Sequence, residues 1–204
     1  PLTIQKTLQM AQQHQVAVGA HPSYPDLVGF GRRSMNLSAP EIIATLHYQV
    51  AALEGMALNA GLKLSYVKPH GALYNDMMAK PQVRQAIMQA MASRHEKLPL
   101  MLQATPEADT HRSEAEQLGL PLLFEAFADR CYDNDGKLLA RSKPGAVHSR
   151  DDMLAQVAQL LDEGTVTNVG GNAMQLYADT LCVHGDNHAG VTAIEAIRTL
   201  VDRK

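Results

Sequence analysis

The chain has 204 residues, 46% hydrophobic and 19% charged, enough for one domain with a sizeable core. Eighteen Lys and Arg against 21 Asp and Glu leave a net charge of -3 with no basic stripe, which argues against a nucleic-acid partner. No apolar run is long enough to cross a bilayer and no signal peptide is visible, so a membrane role is not expected.

Residues 2–13 read as a helix, with Leu2, Ile4, Leu8 and Ala11 on an imperfect apolar face. Val16 to Ala20 reads as a strand running into His21-Pro22. A polar loop with Pro25, Asp26, Gly29, Gly31, Arg32 and Arg33 follows. Ser38-Ala39-Pro40-Glu41 has the capping-box form and opens a long amphipathic helix through Ile42, Leu46, Val50 and Leu58. Leu64 to Lys68 is the next strand, and residues 81–94 the next helix. Leu98 to Gln103 is a third strand, followed by a helix from Thr105 to near Gly119. Leu122 to Ala126 is a fourth strand, and Leu138 to Arg141 suggests a short one. Ser149-Arg150-Asp151-Asp152 caps a helix with acids in its first turn, where the dipole favours them. Val166 to Val169 suggests another strand, with Gly170-Gly171 as a turn. Leu181 to His184 is the last strand and 188–202 the last helix.

Strands alternating with helices imply a parallel sheet covered by helices. One barrel-like α/β domain over 1–204 is expected, with an open doubly wound sheet as the structural alternative. Pro1 falls at a helix start with no N-cap before it, so the expectation is an N-terminally incomplete barrel whose first strand precedes residue 1.

In parallel α/β folds ligands bind at the carboxyl ends of strands. Four such ends carry reactive groups: His21 with Arg32 in its loop; Lys68 and His70, followed by Tyr74 and Asn75; Glu125, then Asp129 and Arg130; and His184 with Asp186. Each has a bland reading, such as an Asp186 that caps the final helix or a Glu125 buried beside an Arg. All four together are harder to dismiss. The three His supply proton transfer near neutral pH. Lys68, Arg32 and Arg141 suit phosphate or carboxylate oxygens. His21, His70, His184 and Asp186 also form a possible metal-ligand set. No phosphate-binding glycine loop and no nucleophile elbow is readable. Cys131 and Cys182 lack metal or redox spacing, which makes a reduced, cytosolic compartment the default.

The run Val67-Lys68-Pro69-His70-Gly71-Ala72-Leu73-Tyr74-Asn75 resembles the signature of the LamB/YcsF family, the 5-oxoprolinase A subunits. The resemblance continues through Gly19 to Asp26, Phe30-Gly31-Arg32, Glu125 to Arg130 with Tyr132, Arg141-Ser142, Pro144-Gly145-Ala146 and Val183 to Asp186. It spans essentially the whole chain. It implies an irregular (β/α) barrel of the glycoside hydrolase/deacetylase type. It also implies a cytoplasmic, ATP-dependent hydrolase that opens the lactam of 5-oxoproline to glutamate together with the B and C subunits. Family members begin with an acidic strand and a Cys-Gly-Phe-His-Ala-Gly-Asp block, both absent here.

In that scheme Lys68 and Arg32 hold phosphoryl oxygens of ATP, and His70 leads as general acid/base. Asp129 and His184 are further catalytic residues. Glu125 or Asp186 positions Mg²⁺ or water. His21, Tyr74, Asn75, Arg130 and Arg141 complete the substrate- and phosphate-binding set. A metal-dependent deacetylase or amidohydrolase is the competing enzyme reading. A non-catalytic scaffold role within the complex is the third.

Overall fold

The computed structural model describes residues 1–185 and 188–203. The chain divides into two compact units, one of residues 1–102 and 110–123, the other of 103–109 and 124–204.

The first unit opens with α1 (Leu2–Gln13), β1 (Val18–Ala20) and α2 (Ala39–Asn59). It continues with β2 (Leu64–Val67), α3 (Gly71–Ala79), α4 (Pro81–Ala92) and β3 (Leu100–Gln103). β1 pairs parallel with β2, and β2 with β3. Ser38 donates its N–H and its hydroxyl to Glu41 Oε2, which fixes the start of α2. The helix then buries Ile42, Leu46 and Val50 one or two turns apart. Ile87, Met88 and Met91 of α4 are likewise fully buried. Each such side chain contributes roughly 1.5–3 kcal/mol by leaving water. α1 departs from its expected apolar face: Leu8 is buried, whereas Leu2, Ile4 and Met10 are exposed.

α3 is not expected from the sequence, where Pro69 and Gly71 read as a turn. The turn is real but ends at once, and a nine-residue helix fills the space before Pro81. α5 (Ala108–Glu116) starts three residues later than expected. Thr105 Oγ1 accepts the Glu107 N–H and the Thr105 carbonyl accepts the Ala108 N–H, so residues 105–107 form a turn that leads into the helix.

The second unit contains most of β4 (Leu122–Phe127), α6 (Arg150–Glu163), β5 (Thr165–Thr167), β6 (Ala173–Gln175), β7 (Thr180–Cys182) and α7 (His188–Val201). β4 and β7 pair parallel, with Glu125 opposite Thr180 and Phe127 opposite Cys182. Ala128, Met153, Val157, Ala193 and Ile197 form the buried cluster between α6 and α7.

One expected strand is not formed, and another is formed but ends early and pairs antiparallel. The 138–141 segment is not a strand: Leu138 makes one isolated bridge to Tyr132. Asp133 Oδ1 accepts the N–H groups of Asp135 and Lys137, closing a tight turn that leaves no room for a ladder. The 166–169 segment does not join the parallel alternation. β5 ends at Thr167 and turns back into an antiparallel pair with β6. Asn168 Oδ1 accepts from Gly170 and Asn172, and this side-chain turn reverses the chain.

Candidate active site

Parallel pairing of β1 and β2 brings both carboxyl ends to one edge of the first unit. The Lys68 N–H donates to the Ala20 carbonyl at 2.8 Å and the His70 N–H to the Pro22 carbonyl at 2.8 Å, so the ladder continues past the strands. This register sets His21 beside His70. His21 Nδ1 donates to the Lys68 carbonyl at 2.6 Å. His21 Nε2 meets His70 Nδ1 at 3.0 Å, and His70 Nε2 donates to the Phe30 carbonyl at 2.9 Å. A carbonyl only accepts, so His21 Nδ1 and His70 Nε2 carry protons. Both nitrogens of both rings are engaged. Lys68 Nζ lies 5.8 Å from the Tyr74 ring centroid, with Tyr74 buried on α3. Asn75 is on the exposed side of that helix.

The loop from Pro22 to Ser34 is clamped onto this edge. The Ala72 N–H donates to the Gly31 carbonyl at 3.0 Å. Gly71 has φ +58, and a Cβ there would come within 2.7 Å of the Gly31 oxygen, so only glycine allows the approach. Phe30 adopts φ +54, uncommon for a residue with a side chain, and this turns its carbonyl to His70. The Phe30 ring meets His70 edge-on at 5.2 Å, and the Arg32 guanidinium lies 5.6 Å from the Phe30 ring centroid.

Asp26 is buried and accepts the Gly29 N–H, Arg33 Nε at 2.9 Å and Arg33 Nη2. The Arg33 hydrogen bonds outweigh burial and hold its carboxyl at about 2. Asp76 on α3 accepts Tyr24 Oη at 2.8 Å, the Ser34 hydroxyl and Lys80 Nζ at 3.0 Å. Burial alone would raise its pKa; the three donors outweigh burial and lower it. Burial first, then Asp76, pushes the Tyr24 hydroxyl well above its ordinary range, so it stays a donor.

In the second unit β4 carries Glu125, whose side chain is buried, and leads into Asp129, which is 1% exposed. β7 leads into His184. His184 Nδ1 lies 2.9 and 3.1 Å from the two Asp129 oxygens, and the His184 N–H donates to Oδ2 at 3.4 Å. The Phe127 ring stacks on the imidazole at 5.7 Å. Burial opposes ionisation of Asp129, but the His184 hydrogen bonds and charge prevail and hold its pKa down. With Nδ1 on the carboxylate, Nε2 of a half-buried ring is the atom left to exchange a proton.

Arg130 is buried and donates Nε to the Ala146 carbonyl and Nη2 to the Leu139 carbonyl, clamping the 131–147 loop. Burial and the nearby Arg141 lower its pKa. Arg141 itself is exposed.

Thus the structure joins His21, Lys68, His70, Arg32 and Tyr74 through Phe30 and the strand ends in one unit. It joins Asp129 with His184 in the other. Asp186 lies outside the described residues. Among the described residues no group of three or more His, Cys, Asp or Glu is gathered to hold a metal ion. Nor is any helix of the described residues long and apolar enough to cross a membrane. The sequence reading missed Asp76 and Gln156. Gln156 Nε2 donates to the carbonyls of Phe127, Ala128 and Arg130 and so holds the backbone around Asp129. The only sequence signal for Asp76 is its place next to Asn75 in the signature block.

The LamB/YcsF family model matches residues 1–204. The chain is 48% identical over 203 residues to the second 5-oxoprolinase A subunit of Pseudomonas putida, covering 99% of this chain and 79% of that protein. It is 46% identical over 205 residues to the 5-oxoprolinase A subunit of Pseudomonas fluorescens, covering 100% and 82%. The crystal structure of the lactam utilization protein from Thermus thermophilus superposes with a TM-score of 0.86 at 37% identity, over 98% of this chain and 79% of that one. An α/β fold of parallel strands with that solved likeness, matched throughout by the family model, establishes that the chain belongs to the LamB/YcsF family.

Proposed function

We propose that the chain is the A subunit of a 5-oxoprolinase, acting in the cytoplasm with the B and C subunits. It takes part in opening the ring of 5-oxo-L-proline to L-glutamate with ATP as co-substrate. The observation that carries this reading is the whole-length match to relatives that bear that name at 46–48% identity.

A lactam carbonyl is a weak electrophile because the nitrogen lone pair is delocalised onto it. Transfer of the ATP γ-phosphoryl group to the amide oxygen, releasing ADP, makes the carbon open to attack. Water adds to that carbon. The ring C–N bond breaks, its electrons going to nitrogen, which takes up a proton as the amine. A second water releases phosphate and leaves glutamate.

Lys68 and Arg32 supply positive charge for phosphoryl oxygens. His184 is the general base: its Nδ1–H rests on Asp129, and Nε2 takes the proton of the attacking water and returns it to the leaving nitrogen. His21 and His70 hold the strand ends around Lys68, and the leading acid/base role is assigned to His184.

The test is a reconstitution with purified B and C subunits, 5-oxoproline, ATP and Mg²⁺. Glutamate and ADP forming together, and only with this chain present, is the expected result. No glutamate from the complete mixture removes the reading. Glutamate without ATP keeps the lactam chemistry and removes the nucleotide.

A further inference from the structure

The ladder between β4 and β7 ends one residue before Asp129. The Ala128 N–H still donates to the Cys182 carbonyl at 3.0 Å, and residues 128–129 then form a turn. Strand pairing therefore stops short of the residue that holds His184. Gln156 takes over at that point. It is buried on α6 beside Met153 and Val157. Its Nε2 donates to the Phe127 carbonyl at 2.8 Å, to Arg130 at 3.0 Å and to Ala128 at 3.3 Å. Three carbonyl oxygens from either side of Asp129 thus converge on one amide group. Their dipoles repel one another unless a donor stands between them, and a buried carbonyl left without a donor is costly. Only the nitrogen end of the side chain can face them, which leaves Oε1 as an acceptor. His148 Nε2 donates to that oxygen at 3.2 Å, and the His148 N–H donates to the Asp129 carbonyl at 3.1 Å. The amide is held from both ends, and the turn is held by the amide.

We propose that Gln156 is a positioning residue for the reaction: it sets the turn that aims the Asp129 carboxylate at His184 Nδ1. This rests on the reading of Asp129 and His184 as the general-base pair. The two residues follow different strands, and their side chains meet only past the ends of both. A turn that relaxes lengthens the 2.9 Å contact between Asp129 and His184 Nδ1. The imidazole then no longer keeps its proton on Nδ1, and Nε2 ceases to be a base aimed at the attacking water. Gln156 acts through Asp129 and not on the substrate.

The test removes the donor and follows His184 directly. Gln156→Met keeps the length and volume of the side chain but has no N–H. In the full chain alone, the ring-nitrogen NMR resonances of His184 are expected to move from the Nδ1–H tautomer toward the mixture of an unheld imidazole. Gln159→Met, on the same helix but at a residue bonded to Thr165 and Thr167, is the control and leaves those resonances in place. In the mixture with the B and C subunits, 5-oxoproline, ATP and Mg²⁺, Gln156→Met is expected to lower kcat about ten- to a hundredfold with KM little changed. In the Asp129→Asn background the same substitution should lower kcat by less than about twofold, because its effect runs through the group already lost. Unchanged His184 resonances in folded Gln156→Met overturn the proposal, as does an equal fold-loss of kcat in both backgrounds. If that variant does not fold, Gln156→Glu, which keeps the shape and offers at most one proton to the carbonyls, is measured in its place against the same outcomes. A wild-type mixture that forms no glutamate counts against the lactam role, and the His184 resonances of the chain alone still decide the part of Gln156.

Discussion

At the scale of single residues, what separates His70 from His184 is the fate of the second ring nitrogen. His70 spends one on His21 and the other on the Phe30 carbonyl. His184 spends one on Asp129. Asp129→Asn keeps the shape but removes the charge that orients and stabilises the imidazole. The reconstituted enzyme is expected to lose about two to four orders of magnitude in kcat, with KM and circular dichroism little changed. Near-normal kcat would remove the pair from the mechanism. The Asp26 carboxyl, lowered from 3.8 to about 2 by Arg33, gives a pH prediction. Its stabilisation of the loop is fully present above pH 3.8 and is lost as the pH falls through about 2. Amide exchange at Gly29, whose N–H Asp26 accepts, should keep constant protection from pH 7 to about 4 once corrected for intrinsic rates, and lose it below. Loss already at pH 5 would contradict the assignment. The sequence marks His21, Lys68, His70, Asp129 and His184 because strand ends and signature blocks are local patterns. It does not mark Asp76 or Gln156, whose partners lie far off along the chain: Tyr24, 52 residues away from Asp76, and Phe127, 29 residues away from Gln156.

At the scale of elements, α2 and α6 follow from their caps and apolar spacing, and the structure places both within a residue or two of the expected starts. Where side chains rather than periodicity set the path, the sequence is less readable. Asn168 and Asp133 bend the chain through their own carboxamide and carboxylate oxygens, so two apolar runs that read as sheet strands become a hairpin arm and a turn. α3 hides behind Pro69-His70-Gly71 because here a glycine with positive φ opens a helix, whereas glycine more commonly follows a helix end. That glycine is testable. In Gly71→Ala the left-handed backbone alone costs about 1–2 kcal/mol. The new methyl would lie 2.7 Å from the Gly31 oxygen and push the loop off the Ala72 N–H. The melting temperature should fall by about 2–4 °C per kcal/mol for a chain of this length. The His70 ring resonances should shift as Phe30 moves. A variant with unchanged His70 resonances would show that the loop does not depend on this contact.

At the scale of the molecule, the α/β class is readable because short apolar strands alternate with amphipathic helices, and the pairs β1 with β2, β2 with β3 and β4 with β7 are indeed parallel. Which strands neighbour each other is not readable, since β7 joins β4 across more than 50 residues of intervening chain. The assembly gives the last prediction. Asp129 is buried and Asn has the same shape, so Asp129→Asn leaves the surface of the chain unaltered. The variant should bind the B and C subunits like the wild type while failing to turn over. It should therefore act as a competitor. With B and C limiting, an equimolar mixture of wild-type and variant chains should give about half the wild-type rate, by simple mass action. A full rate would mean that the variant does not occupy the partners. A rate far below half would mean that each active assembly needs more than one functional copy of this chain. Titrating the variant fraction from zero to one, and reading whether the rate falls linearly or more steeply, distinguishes these outcomes.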